Sequence, residues 1–229
     1  MKIGINATCF NDRPSGAKQR FIGIYTELFK LLSNDEFIVY EPLDCEISRW
    51  FERPKNVFFK KTPLLSTSRL QKYIRGQFYW PKTLKLEKFD IFEEFHQPIV
   101  KNPTGHTIFT IHDIRRIIRD EYKLENTLYV RTLKKSMKSA DQVITVSESN
   151  RNDMLKLFPG ANISVIYNGV NKDYFQAISE LESLKISEKF KLPENFLLAV
   201  GHFEKRKNYL NLIEALSRLH KLGQLETLV

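Results

Sequence analysis

The sequence has little cysteine and no long apolar run. Its 229 residues include two cysteines, Cys9 and Cys45, too few for a disulfide framework or a Cys/His metal site, so we expect a reducing compartment. No stretch approaches the roughly 18 consecutive apolar residues of a membrane span. The first residues, MKIGINATCF, lead directly into a strand pattern and lack the apolar core of a signal peptide. These absences predict a cytoplasmic protein.

Several catalytic motifs are also missing. The chain has no G-x-G-x-x-G, Walker loop, G-x-S-x-G or H-E-x-x-H, which argues against a dinucleotide enzyme, a P-loop NTPase, a serine hydrolase of the α/β type and a zinc peptidase. It has no D-x-D pair to chelate a metal–diphosphate. We therefore expect neither a metal nor another cofactor. The hydrophobic content of 42% and the aromatic content of 12% are typical of a folded globular protein.

The net charge of +9 is concentrated in one stretch, Arg49 to Lys88, where eleven Lys and Arg residues stand against two acids. The same stretch holds both tryptophans and six further aromatic residues. Cations interleaved with aromatics suit an anionic membrane surface, and we predict a membrane or acceptor surface whose cations are Lys72, Arg75, Lys82 and Lys85. Two alternatives remain open: solvated charges over an aromatic core, and nucleic-acid binding, which would show steep salt dependence. We expect no nucleic-acid partner.

Strand and helix patterns alternate along the chain, which predicts a Rossmann-like α/β fold with a mostly parallel sheet covered by helices on both faces. Apolar residues at helical spacing predict a helix over 21–32, and Ser147 is expected to cap a helix over 150–158. We predict an N-terminal domain over residues 1–190, ending in a polar linker at 174–192. Residues 191–229 then form the first β-α-β unit of an incomplete second Rossmann-like domain.

Two loops of the first predicted domain follow strands, at the sheet edge where open α/β sheets bind ligands. In the loop 13–17, Gly16 lets the backbone approach a ligand, and the following helix start offers N–H donors. In the segment 110–114, His112 follows an apolar strand and precedes Asp113, which could orient the ring. An ordinary turn at Gly16 and a structural histidine at 112 remain the alternatives.

A third loop joins a strand at 196–200 to a helix that begins near Asn208 and ends at Gly223. Leu210, Ile213, Leu216 and Leu219 fall on one face of this helix, which we expect to pack on a sheet. Gly201 provides a tight exit from the strand, and Lys205, Arg206 and Lys207 stand just before the helix. Cations beside the free N–H groups of a helix start favour an anion, and a phosphate is the natural ligand. A solvated basic loop is the alternative interpretation.

Taken together, three segments resemble the retaining family 4 glycosyltransferases of the GT-B fold. They are VITVSESNRNDMLK, ISVIYNGVNKDYF and FLLAVGHFEKRKNYLNLIEAL, in that order and spacing, and TIHDI and SGAKQRF fit the same pattern. The resemblance implies a nucleotide-sugar bound between two Rossmann-like domains. It implies that Gly16 faces the donor diphosphate, that His112 contacts the transferred sugar, and that Lys207 neutralises the departing diphosphate.

The sequence departs from this family at three points. His202 stands where the family usually has an arginine that binds the diphosphate, and Ser15 stands where a second glycine is usual. The family's downstream E-x7-E element is absent. We predict a hexosyltransferase that acts with retention on a glycan or lipid-linked acceptor in cell-envelope polysaccharide synthesis, peripheral at the inner membrane face. This segment alone should be inactive. The alternative is a non-catalytic module that binds an anionic lipid or a protein partner.

Overall fold

The computed structural model describes residues 1–52, 54–114, 123–201, 203–223 and 227–229. The chain divides into two compact units, Met1–Asn171 and Lys172–Val229. In the first unit, strands alternate with helices as the sequence predicts. The elements of this unit are β1 (Lys2–Asn6), α1 (Gly16–Leu31), β2 (Glu36–Glu41), β3 (Val57–Lys61), α2 (Arg69–Glu87), β4 (Ile91–Glu94), β5 (His106–Thr110), α3 (Lys123–Ser139), β6 (Gln142–Thr145), α4 (Glu148–Leu157) and β7 (Ile163–Val165).

The seven strands form one parallel sheet in the order β3-β2-β1-β4-β5-β6-β7. The predicted α/β fold class is therefore confirmed. The chain adds strands outward from β1 to β3 and then returns to the other side of β1 at β4. This reversal places a topological switch point between β1 and β4, and open α/β sheets bind ligands outside the carboxyl ends of the strands at such a point.

One face of the sheet packs against α1. Side chains alternate along a strand, so Phe37 and Val39 of β2 point to this face and pack with Phe21 and Phe29 of α1. The ring centroids of Phe29 and Phe37 lie 4.9 Å apart in an edge-on arrangement. Apolar residues at this helical spacing explain why the segment forms a helix that packs on a sheet.

The opposite face packs against α2. Ile38 and Tyr40, the alternate residues of β2, join Trp80, Leu84 and Phe92 in a second buried cluster. Gly4 of β1 lies under this cluster, where an added Cβ would stand 2.7 Å from the Phe92 ring. Glycine is required at this position because the aromatic layer occupies the space that a side chain would need.

The strands beyond the switch point pack with α3 and α4. Phe109, Val143 and Ile163 from three neighbouring strands form a cluster with Leu133 of α3 and Met154 of α4. The side chain of Ser147 accepts a hydrogen bond from Asn150 N at 3.2 Å and so caps α4, as the sequence predicts.

The second unit contains α5 (Glu180–Phe190), β8 (Phe196–Leu197), α6 (Tyr209–Lys221) and β9 (Thr227–Leu228), and β8 pairs in parallel with β9. The segment 174–192, predicted as a polar linker, contains a helix that the sequence analysis did not predict. Most of the segment is α5, which begins with a capping box between Ser179 and Glu182. The predicted domain boundary at residue 190 falls after this helix.

The periodicity of α6 was interpreted only in part correctly. Leu210 and Ile213, predicted to lie on the packed face, are exposed, whereas Leu216 and Leu219 are partly buried together with Leu212. Gly223 follows the helix with φ +80°, a conformation that ends a helix, as predicted. Within the described part of the chain, no helix has the length and apolar character needed to cross a membrane.

Candidate functional site

Gly16 is the first residue of α1. Ser15 caps the helix, and its Oγ accepts a hydrogen bond from Lys18 N at 3.1 Å. Apart from its chain neighbours and the backbone of its own helix, no heavy atom lies within 4 Å of the position that a Gly16 Cβ would take. The departure at Ser15 therefore has a local structural role, and the backbone beside it faces open space that a ligand could approach. The role in diphosphate binding stays a prediction.

His112 follows β5 at the carboxyl edge of the sheet and is partly buried, like Asp113. Its main-chain oxygen accepts a hydrogen bond of 3.4 Å from Asn150 Nδ2. Burial lowers the pKa of His112, the guanidinium of Arg20 lowers it further, and Asp113 opposes both. The imidazole is therefore held neutral, in a form that can both donate and accept a hydrogen bond at neutral pH.

A buried polar network includes Thr110, two residues before His112, and was not predicted from the sequence. Glu93 of β4 accepts hydrogen bonds from Thr110 Oγ1 at 2.6 Å and from the hydroxyl of Tyr25. Buried Arg20 of α1 donates from Nη1 to the main-chain oxygen of Tyr167 at 3.2 Å. Its charge also acts on Glu93. The network joins α1, two strands and the turn after β7.

Burial dominates the electrostatics of this network. It raises the pKa of Glu93 even though Thr110, Tyr25 and Arg20 all favour the charged form. The available signal in the sequence was a pair of glutamates, Glu93 and Glu94, at the end of an otherwise apolar strand. A charged residue in such a strand must find buried partners.

In the second unit, Lys205–Lys207 form a single turn of 3₁₀ helix before α6. Gly201 has φ +154°, and a Cβ there would stand 3.2 Å from Lys207 Cε. The structure thus brings Gly201 and exposed Lys207 together at the start of α6, where the Asn208 side chain makes no capping bond. The Arg206 side chain and His202 lie outside the described residues. Phosphate binding at this turn stays a prediction.

The predicted cationic surface lies on α2. Arg75, Lys82 and Lys85 are exposed, whereas Lys72 is partly buried and donates from Nζ to Ser66 O at 2.8 Å. Some aromatic residues of the stretch 49–88 are buried, as an aromatic core requires, and others are exposed, as a membrane surface requires. Trp80 and Phe51 belong to the core, while Phe58, Tyr73 and Phe78 are exposed.

The described residues offer no cluster of three or more His, Cys, Asp or Glu side chains that could hold a metal ion.

Comparison with known proteins identifies the family. The model of Glycosyltransferase Family 4 matches residues 39–174, more than half of the chain. The chain therefore belongs to Glycosyltransferase Family 4. It is 33% identical over 119 residues to the O-antigen chain mannosyltransferase RfbU of Salmonella typhimurium strain LT2, a match that covers 51% of this chain and 29% of that protein. It is 30% identical over 113 residues to the O-antigen chain mannosyltransferase B of Escherichia coli, with coverages of 47% and 29%.

Two solved structures have the same fold. The glycosyltransferase from Rickettsia africae ESF-5 superposes with a TM-score of 0.63 at 19% identity, over 95% of this chain and 57% of that one. WaaG, a glycosyltransferase involved in lipopolysaccharide biosynthesis, gives a TM-score of 0.65 at 17% identity, over 93% and 58% of the two chains. The chain thus spans less than a third of the curated relatives that it matches and less than three fifths of these structures.

Proposed function

We propose that the protein transfers a hexose from a nucleotide-sugar to a growing glycan or lipid-linked acceptor in cell-envelope polysaccharide assembly, with retention at the anomeric carbon. The observation that carries this proposal is the family match over residues 39–174. Two relatives named as O-antigen mannosyltransferases support an O-antigen or lipopolysaccharide context. The same match favours an enzyme over a non-catalytic module.

The residues of the first unit have the chemistry that acceptor and sugar binding requires. Gly16 leaves room beside a helix start whose N–H groups attract an anion. His112 is neutral and can exchange hydrogen bonds with sugar hydroxyls, while Glu93, Thr110 and Asn150 hold the ends of the neighbouring strands in place. Together these residues would orient the substrate, because a substrate held in a fixed geometry pays less of the entropic cost of reaching the transition state.

The second unit contributes the positive charge that a departing diphosphate requires. As the glycosidic bond to the diphosphate breaks, negative charge grows on the leaving oxygens. The ammonium of Lys207, beside Gly201 at the start of α6, can stabilise that charge without a metal. Fixed cations of this kind contribute most when they are in position before the reaction begins.

Thermal shifts with a panel of nucleotide-sugars would test the proposal on the full-length protein. One nucleotide-sugar of the panel should raise the Tm, and the free nucleoside monophosphate should raise it less. The same donor, given with a lipid-linked acceptor, should release nucleoside diphosphate. A protein that binds none of the donors and releases no diphosphate would contradict the proposal.

A peripheral position at the cytoplasmic membrane face is part of the proposal. Leu70, Ile74 and Phe78 stand four residues apart along α2 and are all exposed, with Phe78 at 79%. Arg75, Lys82 and Lys85 lie beside this apolar stripe. Apolar side chains flanked by cations fit an anionic bilayer surface, where a lipid-linked acceptor would be presented.

A further inference from the structure

Four side chains join the loop before α1 to a neighbouring turn, and the proposed chemistry does not use them. Asp12, which precedes α1, accepts hydrogen bonds from Arg49 Nη2 at 3.2 Å and from Trp50 Nε1 at 3.4 Å. Both partners lie in the 3₁₀ turn Ile47–Trp50. The ammonium of Lys18 lies 4.1 Å from the centroid of the Trp50 ring and 4.0 Å from Asp12 Oδ1. We call Asp12, Lys18, Arg49 and Trp50 the Asp12 cluster.

The Asp12 cluster connects the segments that follow two neighbouring strands. Asp12 lies in the loop after β1, and the turn Ile47–Trp50 comes after β2, which pairs in parallel with β1. Lys18 Nζ also donates a hydrogen bond of 3.4 Å to the main-chain oxygen of Asp12. The chain is thus held at Asp12 on one side of Gly16 and at Lys18 on the other.

Residues 12–15 depend on this cluster for their position. They are exposed, and within the described ranges Asp12 alone among them bonds to an element other than α1. An exposed loop that nothing holds samples many conformations, so the binding of a ligand to it includes the entropic cost of ordering the loop. A loop that is fixed in advance avoids that cost.

The cluster contributes more to the order of the loop than to folding stability. The side chains of Asp12 and Arg49 are 62% and 56% exposed, and ion pairs at such exposure add little to the free energy of unfolding. The side chain of Lys18 is 14% exposed and lies over the Trp50 ring. Removal of the Asp12 carboxylate should therefore change the loop more than the Tm.

We propose that the Asp12 cluster positions the loop before α1, and with it the backbone of Gly16, to receive the donor diphosphate. The inference rests on the proposed function, because it takes Gly16 as the residue that faces the donor. Asp12 is a positioning residue: it acts through the loop and does not contact the nucleotide-sugar. Its effect is to hold the binding conformation before the ligand arrives.

The charges of the cluster suit a neighbouring diphosphate. An unpaired carboxylate so close to the ligand would repel it. Here Oδ1 of Asp12 faces the ammonium of Lys18, and Oδ2 faces the guanidinium of Arg49. One negative and two positive charges leave a surplus of one positive charge, which attracts an anion. The acid can therefore anchor the loop without opposing the ligand.

The test uses three substitutions in the full-length protein, each of which removes one negative charge. Asp12→Ala removes the anchor, and Asp12→Asn keeps an acceptor oxygen for Arg49 and Trp50. Glu46→Ala is the matched control, because Glu46 Oε2 pairs with Nε of the same Arg49 at 3.7 Å and lies outside the loop.

Two kinds of measurement separate loop order from ligand binding. The heteronuclear NOE of the Arg13 and Gly16 amides reports motion of the loop on the picosecond to nanosecond timescale. The indole N–H resonance of Trp50, assigned by its loss in Trp50→Phe, reports the bond to Asp12. Calorimetric titration with ADP, CDP, GDP and UDP measures the affinity for a nucleoside diphosphate.

We expect Asp12→Ala to lower the NOE of the loop amides, to shift the Trp50 indole resonance and to raise the Kd of the nucleoside diphosphate about tenfold. Its Tm should stay within a few degrees of the wild type. Asp12→Asn should have smaller effects, since an acceptor for Arg49 and Trp50 remains. Glu46→Ala should leave the loop amides and the Kd unchanged.

Three results would overturn the inference: loop amides as ordered in Asp12→Ala as in the wild type, a loosened loop with an unchanged Kd, or equal effects of Asp12→Ala and Glu46→Ala. A wild type that binds none of the four nucleoside diphosphates would contradict the proposed function, and with it the ligand assigned to this loop. The NOE values would then still decide whether Asp12 anchors the loop.

Discussion

Thr110 Oγ1 donates a hydrogen bond of 2.6 Å to Glu93 across the β4–β5 pair, two residues before His112. The bond ties the end of the strand that carries His112 to a carboxylate that also accepts from Tyr25 of α1. Glu93 is thus the point at which α1 and two strands are joined beneath the candidate site.

We predict that Glu93→Ala destabilises the protein by about 2–5 kcal/mol, because it leaves the Tyr25 and Thr110 hydroxyls unpaired and removes a buried negative charge that acts on Arg20. Urea denaturation measures the change. Glu27→Ala on the exposed face of α1 is the control and should cost under about 0.5 kcal/mol. Equal effects of the two substitutions would show that the network contributes no more than a surface ion pair.

The second prediction concerns pH. Burial raises the pKa of Glu94 to about 8, so the folded protein holds this proton more tightly than the unfolded chain does. Its contribution to stability is therefore fully present below about pH 4.5 and is lost as the pH rises through about 8. Ionisation of Glu94 alone should lower the free energy of unfolding by up to about 1.4 kcal/mol for each pH unit between about pH 4.5 and 8.

Glu94→Gln should flatten that dependence. Denaturation of wild type and variant at pH 5, 6, 7 and 8 gives the difference in unfolding free energy, which should shift steadily in favour of the variant as pH rises. A difference that stays constant over this range would mean that Glu94 ionises normally in the folded protein.

Much of the fold was accessible from the sequence, because periodicity reports which side chains face a core. Apolar residues at helical spacing predicted α1, and Ser147 predicted the start of α4, since both signals are local. The helix within 174–192 was not predicted, because the composition of this segment is polar. A capping box stabilises the start of the helix, and a mostly exposed helix needs little apolar surface. The shortness of β8 and β9 could not be predicted either, because strand length depends on pairing partners.

The candidate site was accessible only where a motif marked it. His112 and Gly16 stood out because each follows a strand. Arg20, Glu93 and Tyr25 did not, because their connection is made by folding: Arg20 bonds to Tyr167, a residue 147 positions away. The exposure of the aromatics on α2 was equally hidden, since a tryptophan such as Trp80 has the same composition signal in a core as on a surface.

His112→Ala in the full-length enzyme should abolish transfer while leaving the Tm within a few degrees. The ring is partly buried, and the hydrogen bond from Asn150 reaches the main-chain oxygen and not the side chain, so little packing is lost. Transfer assays and thermal melts measure the two effects. A large drop in Tm, with activity that scales with the folded fraction, would instead make His112 a structural histidine.

Lys207→Ala should lower kcat more than tenfold, because one preorganised group that stabilises developing charge typically contributes about 2.7–4 kcal/mol. Steady-state kinetics on the full-length enzyme measure this. Lys205→Ala removes the same charge from the same exposed turn and should change kcat much less, since the side chain that lies along Gly201 is that of Lys207. Unchanged turnover in Lys207→Ala would refute the assignment.

The last prediction concerns the exposed face of α2. Arg75, Lys82 and Lys85 supply attraction to an anionic bilayer that fades within a Debye length of about 8–10 Å at ordinary salt, so binding should weaken as salt rises. Leu70, Ile74 and Phe78 should add a salt-resistant part by entering the headgroup layer. The protein should therefore co-sediment with vesicles that contain anionic lipid and not with neutral vesicles.

Replacing Arg75, Lys82 and Lys85 with Glu should release the protein from these vesicles without unfolding it, because all three side chains are exposed. Lys72 is left in place because its ammonium holds Ser66 O. The matched control replaces Lys134, Lys135 and Lys138, which are exposed on α3, with Glu as well. It changes the net charge by the same amount. If both triple variants lose binding equally, overall charge governs the association and α2 has no special role. Equal pelleting of the wild type with neutral and anionic vesicles, or no pelleting, would leave the cations of α2 as solvated surface charges.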